Sequence, residues 1–417
     1  MITYSCKKLS NGIRLVTAPL KTSEAVTVLI VTGIGGRYET PEIAGISHFL
    51  EHMFFKGTKK RSALELRKEF DAMGANYNAF TGEEVTAFYV HSAANDFSES
   101  LDILSDLFLN PAFPEEEFER EKGVIVEEAN MRRDIPQLHV QVLSQNQTFA
   151  DYSLGHDIIG TPESIKNTTR EDIRNYFKKG YSPESTVVVV CGNPKNFNWE
   201  KEAERVFLKM PKIAVPIHQP LSKKSIEKAV VQEARKVDQT HFVISALTVA
   251  KSDPRRYAMS LFSTILGGGT SSRLFNEIRE KRGWAYYIGS EAAAYRDTGT
   301  LTISAGVKKD KLEESVKIIL EQIKDLAKVG PEKEELERAK TNLRGQLSLS
   351  LEDTQEIASF LADEIFYQNK IRQPEVIVEN LFKVTKEDIQ NISKMILQPA
   401  KMGLAVIGPE EYKVSLR

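Results

Sequence analysis

The sequence predicts an α+β protein made of two diverged copies of one domain, each a mostly antiparallel or mixed sheet packed with helices. Three observations predict it. Short β-branched runs such as "TVVVVCGN" alternate with amphipathic helical stretches such as "DFSESLDILSDLFLNP", where Leu101, Leu104 and Phe108 share a face. The order of elements then restarts after a proline-punctuated stretch near mid-chain. Finally, "SESLDILSDLF" matches "EESVKIILEQI", and "PEEEFEREK" matches "PEKEELERAK" with one inserted residue, a register that sets Phe118 against Leu336 at an offset of 218.

In order, "GIRLVTAP" and "AVTVLIVTGIG" read as strands, being rich in Val, Ile and Thr and ended by Gly or Pro. A helix is expected over about 46–55, stopped at Lys56-Gly57, and a second begins at Ser62 as N-cap and ends at Gly74. "NYNAFTGEEVTAFYVHSA" reads as two short strands around Gly82, followed by the amphipathic helix already quoted and, after Pro114, the acidic helix "EEEFEREKGVIVEEANMRRD". "TVVVVCGN" is a buried strand, and "NWEKEAERVFLKMP" closes the first copy. Pro211, Pro216 and Pro220 then fall in a stretch without hydrophobic period, the expected linker. The second copy runs through the strand "THFVISALTV", the helices "RRYAMSLFSTILGG" and "SRLFNEIREKRG", the strand pair "AYYIGSEAAAYRDTGTLTISAGV", and two more helices. The expected division is 1–213, a linker over 214–228, and 229–417.

Bulk composition narrows the function classes. A chain of 417 residues exceeds one hydrophobic core, and 41% hydrophobic with 27% charged residues is a globular balance. With 56 basic against 58 acidic residues the formal net charge is −2, which gives no reason to expect nucleic acid or a membrane surface as partner. The N-terminus lacks a signal-peptide pattern, and no apolar run reaches the roughly 18 residues of a membrane span. Cys6 and Cys191 cannot form a disulfide framework, which fits a reducing compartment. These features lead us to expect a cytoplasmic protein.

The chemistry concentrates in "GISHFLEHMFFKGT", residues 45–58. On a helix His48 and His52 stand one turn and about 40° apart, so both imidazoles reach one ion, while Glu51 lies about 60° to the other side of His48, near the ion yet offset. That offset suits a general base acting on a water at a metal. Three polar groups in so apolar a run are costly without partners. Catalytic zinc sites commonly take three protein ligands, so a third is expected from elsewhere.

The H-x-x-E-H order resembles the signature of the pitrilysin-type metallopeptidases, or inverzincins. The resemblance extends through "GGRYETPEIAGISHFLEHMFFKGT", "NAFTGEEVTAFYV" and "SSRLFNEIREKRGWAYYI", and is nearest to bacterial relatives of mitochondrial processing peptidase. It implies that family's metallohydrolase fold and zinc-dependent hydrolysis of peptides, with one Zn2+ per chain. The third ligand would be Glu128, 76 residues beyond His52, with Glu121, seven residues earlier on the same helical face, as the supporting carboxylate. Arg279 and Tyr286 match the pair that the family holds over the scissile peptide, where both can donate to a developing oxyanion. Asn78 and Ala79 match the edge strand along which substrates pair through their backbones. Peptide substrates and a homodimer enclosing a chamber are the partners implied. The alternatives are a metal-free structural subunit, which should lack His48, Glu51 or His52, and a presequence-specific processing enzyme. Recognition of arginine by such an enzyme needs carboxylates near the cleft, and "LHVQVLSQNQTF" has none.

The duplication supplies an internal control. At offset 218, Glu121 falls on Ala339 and Glu128 on Gln346, and the counterpart of the His48–His52 helix, "SLFSTILGG", carries neither His nor Glu. The polar set belongs to the first copy alone, as a dedicated site requires.

Overall fold

The computed structural model describes residues 1–221, 225–398 and 400–416; residues 222–224 of the expected linker lie outside the described residues. In chain order the first half holds β1 (Ser5–Lys8), β2 (Arg14–Pro19), β3 (Ala25–Thr32), α1 (Ile46–Phe54), α2 (Ala63–Met73), β4 (Asn76–Thr81) and β5 (Thr86–Ala93). Then come α3 (Phe97–Leu109), α4 (Glu115–Asp134), α5 (Pro136–Thr148), α6 (Pro162–Asn167), α7 (Arg170–Gly180), β6 (Thr186–Gly192) and α8 (Trp199–Phe207). The second half holds β7 (Val230–Ala234), β8 (Gln239–Thr248), α9 (Arg256–Gly267), β9 (Ala285–Ala294), β10 (Gly299–Lys308) and α10 (Leu312–Lys328). It ends with α11 (Lys333–Ser350), α12 (Thr354–Gln368), α13 (Pro374–Lys383), α14 (Lys386–Ile396) and β11 (Met402–Gly408).

Apart from the additional edge strand β1, the two sheets share one topology. The first runs β1-β2-β6-β3-β5-β4 and the second β7-β11-β8-β10-β9. In each, one pair is parallel, β2 with β6 and β7 with β11, and every other pair is antiparallel. The helix starts keep the register read from sequence: Glu115 and Lys333, and Pro136 and Thr354, each stand 218 residues apart. The α+β duplication expected from the sequence is therefore the architecture.

Chain contacts form two compact units, and their make-up differs from a simple cut at the linker. One unit comprises Met1–Asn130, His156–Gln219 and Leu347–Pro374; the other comprises Met131–Gly155, Pro220–Gln346 and Glu375–Arg417. The halves have exchanged a helix. α12, from the second half of the chain, packs on β6 and β3, whereas α5, from the first half, packs on β8 and β11. The reason lies in the central strands, which are apolar on both faces. Val188 and Val190 of β6 join the core under α1 and α3, while Val187, Val189 and Cys191 need a second cover, which Ile357, Leu361 and Ile365 of α12 provide. In the other unit Val140 of α5 does the same over Val243, Ala405 and Ile407. Local readings that ran along the chain could not see this exchange.

Most local signals act as read. Ser62 closes a capping box with Glu65, and Gly74 ends α2 in the left-handed region at φ 58°. The expected helix "SRLFNEIREKRG" forms, but Phe275–Glu280 within it takes the wider π-helical turn. Cys191 is buried and Cys6 exposed; burial pushes both thiols up, Cys191 to about 12, so neither is an activated nucleophile. Among the described residues no helix is long and apolar enough to cross a membrane.

The start of α1 is fixed by a close backbone crossing. Gly45, the N-cap, sits at φ 92°, and a Cβ there would run into the Ile159 carbonyl; Gly160, at φ 83°, faces the Ala44 carbonyl in the same way. We expect Gly45→Ala to lower unfolding stability by about 2 kcal/mol or more, because backbone strain and the clash add. Denaturant titration of the two proteins checks it.

Candidate metal centre

α1 has two faces. Ile46, Phe49, Leu50, Met53 and Phe54 are buried in the core, leaving His48, Glu51 and His52 on the other side. Its N-terminus is capped by a buried carboxylate: Glu39 accepts the N–H of Gly45 at 2.7 Å and that of Ser47 at 2.8 Å. α4 lies alongside. Phe118 of α4 stacks flat on Phe49 of α1 with ring centroids 5.0 Å apart. Phe118, Glu121 and Ile125 are the residues α4 buries, and Glu128 continues that face by one more turn.

The expected ligands converge. Among the described residues, the ligand atoms of His48, His52 and Glu128 all lie within 4.8 Å of one another. His48 Nε2 is 3.7 Å from Glu128 Oε1, and His52 Nε2 is 3.6 Å from Glu128 Oε2. Those gaps are too wide for hydrogen bonds. They fit ligands that share one ion, since nitrogen and oxygen donors about 2.0–2.1 Å from a tetrahedral centre stand about 3.3 Å apart. Two imidazoles and one carboxylate with a side left open is the donor set of a catalytic rather than a structural zinc site. The side chains of His48, His52 and Glu128 are 12%, 23% and 33% exposed, so the open side can admit water and substrate. Glu127, next to the third ligand, is exposed and outside the cluster.

A further shell orients the ligands. His52 Nδ1 is 3.0 Å from Glu121 Oε2, and Lys56 Nζ is 2.6 Å from Glu121 Oε1. With Nδ1–H donated to Glu121, Nε2 keeps its lone pair toward Glu128. Burial pushes Glu121 up, but the bonds from His52 and Lys56 outweigh it and hold the carboxyl below its ordinary range. Glu121 thus stays an acceptor.

Glu51 is held from the edge strand: the Thr81 hydroxyl donates to its Oε2 at 2.5 Å. Burial pushes Glu51 above the usual carboxylate range, against the opposing pull of Thr81 and His52. Thr81 ends β4, the edge strand that also carries Asn78 and Ala79. Asn78 is exposed and its side chain caps the Ala79 N–H at 2.9 Å, while β5 takes the other side of the strand at Tyr89 and Phe88.

In the other unit, Arg279 and Tyr286 stand together. The Arg279 guanidinium lies 4.8 Å from the Phe275 ring centre and 5.7 Å from that of Tyr286, whose side of β9 leaves it 77% exposed. Both therefore keep donors available to a ligand. Sequence reasoning missed Thr81, Glu39 and Lys56. Thr81 and Lys56 stood inside segments already singled out, but only coordinates reveal which carboxylate each one meets.

The fold and this donor set define a duplicated α+β chain whose first half brings together, on and beside an H-x-x-E-H helix, a His-His-Glu cluster that could hold a metal ion. Comparison with known proteins agrees. Residues 14–162 match the model of the insulinase family, peptidase family M16, and residues 167–343 match the model described as the peptidase M16 inactive domain. The chain belongs to the peptidase M16 family. It is 32% identical over 98% of its length to an uncharacterized zinc protease of Streptomyces coelicolor, of which it covers 90%, and 33% identical over 97% to the uncharacterized zinc protease YmxG of Bacillus subtilis, of which it covers 98%. A protease structure from Helicobacter pylori superposes with a TM-score of 0.91 at 23% identity, over 98% of this chain and all of that one. An M16 inactive-domain structure from Pseudomonas fluorescens gives 0.91 at 19%, over 99% and 100%. At those identities the structural likeness speaks to fold alone, and the fold agrees throughout.

Two outcomes are expected. Glu121→Gln should weaken metal affinity by about 10- to 100-fold, read by competition with a chromogenic chelator, because His52 loses its anionic partner. Glu39 is the second. Burial pushes it up to about 7 from an ordinary value near 4.5, and the two N–H donors do not overcome that cost. Between those pH values the folded chain holds a proton the unfolded chain has released, so stability falls as pH rises through that window. Glu39→Gln should flatten this slope by about 3 kcal/mol across it, read from unfolding of chelated protein at pH 4.5 and 7.

Proposed function

We propose that the chain is a zinc-dependent endopeptidase that hydrolyses short or unfolded peptides. The carrying observation is the convergence of His48, His52 and Glu128, with Glu51 beside them on the same helix. Support also comes from relatives that bear the name zinc protease. A zinc ion held by the three ligands would supply Lewis acidity and lower the pKa of a water. Glu51 takes a proton from the attacking water and returns it to the leaving amine nitrogen, and Thr81 keeps the carboxylate turned toward the edge strand. β4 offers its free edge, at Asn78 and Ala79, to the peptide backbone. Such pairing needs an extended segment, which selects unfolded or short substrates over folded ones. Arg279 and Tyr286 donate to the oxyanion that develops on the scissile carbonyl.

By the same resemblance, two copies close into a chamber and each supplies its Arg279 and Tyr286 to the other's metal site. A homodimer of this chain is self-sufficient, because one sequence holds both parts. The motif is intact, which argues against a purely structural subunit. Glu51→Gln should retain one metal per chain while cleavage of a quenched, unstructured peptide falls at least about a hundredfold. Arg279→Ala should keep its metal and lose about a hundredfold in kcat. Metal analysis beside turnover checks both. Equal turnover by wild type and Glu51→Gln would remove the assigned base, and a metal-free, inactive wild type would favour the structural subunit.

A further inference from the structure

We infer that Tyr287, His241 and Gly306 form a clamp that positions Tyr286, by holding open the one-residue bulge through which Tyr286 leaves the core face of β9. The consequence for turnover rests on the peptidase reading; the geometry of the clamp does not.

The register of β9 against β10 carries an insertion at Tyr286. Residues 299–306 pair in unbroken antiparallel register with 294–287, but Val307 then pairs with Ala285, which leaves Tyr286 without a counterpart. Burial records the same extra residue. Ala285 and Ile288 are both buried and join one core, although strand residues three apart should face opposite sides. In regular alternation Tyr286 would share the side of Ile288 and point into that core. The bulge turns it out instead, exposed, with its ring centre 5.7 Å from the Arg279 guanidinium. Arg279 itself lies in the π-helical turn, so each member of the pair sits at a local insertion in its own element.

Two anchors keep the insertion at this residue. On one side of it, the Lys308 N–H donates to the Trp284 carbonyl at 3.1 Å and fixes the shifted register. On the other, Tyr287 stands opposite Gly306, which in turn stands opposite His241 of β8. Glycine leaves room for the Tyr287 ring: a Cβ at Gly306 would lie 2.6 Å from Tyr287 Cε1 and 3.2 Å from His241 Nδ1. The ring passes over β10, and its hydroxyl oxygen meets His241 Nδ1 at 3.0 Å. Burial pushes the His241 imidazole down and the Tyr287 hydroxyl up, so both partners are neutral near pH 7. β9 ends its sheet with β10 as its neighbour, so a tie to β8 supplies what a second flanking strand would. Without that tie the strand end can slip by one residue, setting Tyr286 opposite Val307 and turning its side chain toward the core.

Two substitutions release the clamp. Gly306→Ala forces the ring away, and Tyr287→Phe removes one oxygen only, which keeps the test open if Gly306→Ala does not fold. An oxyanion donor acts once the carbonyl is attacked, so each should lower kcat on the quenched peptide about tenfold or more and leave KM within about twofold. In a Tyr286→Phe background, where that donor is already gone, each should cost less than about twofold. Losses of equal size in both backgrounds would overturn the clamp, since a merely structural lesion is indifferent to the Tyr286 hydroxyl. A second measurement needs no catalysis. Cys6 is exposed and Cys191 buried, so Cys6→Ser with Tyr286→Cys leaves one accessible thiol, at position 286. Its reaction with a chromogenic disulfide should slow at least about fivefold when Gly306→Ala or Tyr287→Phe is added. An unchanged rate in both would reject the clamp. Slowed labelling, beside a wild type that cleaves no peptide, would reject the hydrolytic assignment and leave the clamp standing.

Discussion

Everything at the candidate metal site depends on α1 and α4 lying side by side. His48 and His52 come from one helix and Glu128 from another, and no local propensity brings them together. The flat stack of Phe49 on Phe118 sets the spacing at one end. The Glu121 carboxylate, 4% exposed and bonded to both His52 and Lys56, ties the helices together one turn further on. Glu128 is the next residue on that face to emerge from the core, so its position follows from packing that is already fixed. The apolar contact orders the helices, and the buried polar contact then orders the ligands.

The second copy shows the same division of labour. At the positions equivalent to Phe118 and Ile125 it keeps apolar Leu336 and Leu343, which pack into the core of its own unit. Where the first copy has Glu121 and Glu128, it has the small, buried Ala339 and the exposed Gln346. Helix packing has been retained in both halves, and the buried carboxylate in one. A buried Glu without a cation or imidazole partner is costly, so its replacement by alanine where no histidine faces it is what the physics favours.

Much of this was legible in the sequence. Two-fold and 3.6-fold periodicity placed the strands and helices, and the echo at offset 218 exposed the duplication, because both are carried by residues near one another or by direct repetition. His48, Glu51 and His52 were legible because one helical turn relates them. Glu128 was legible by resemblance alone; on spacing it was one glutamate among many in an acidic helix. Thr81 and Glu39 act across 30 and 8 residues through geometry that no local rule encodes. The exchange of α5 and α12 was invisible for a related reason. An apolar helix face announces that it needs a sheet but does not say which one, and both sheets here are apolar on both sides.

That exchange gives the polypeptide an unusual topology of dependence. A nick in the proline-rich connector would sever the backbone between the halves, yet each fragment would still carry the lid of the other's sheet. Each fragment holds the main core on one face of its own sheet, but neither holds both covers, because the core on the other face takes its helix from the other half. Translation must reach α12, well past residue 350, before the sheet on which the histidine-bearing α1 packs can be closed on its second side.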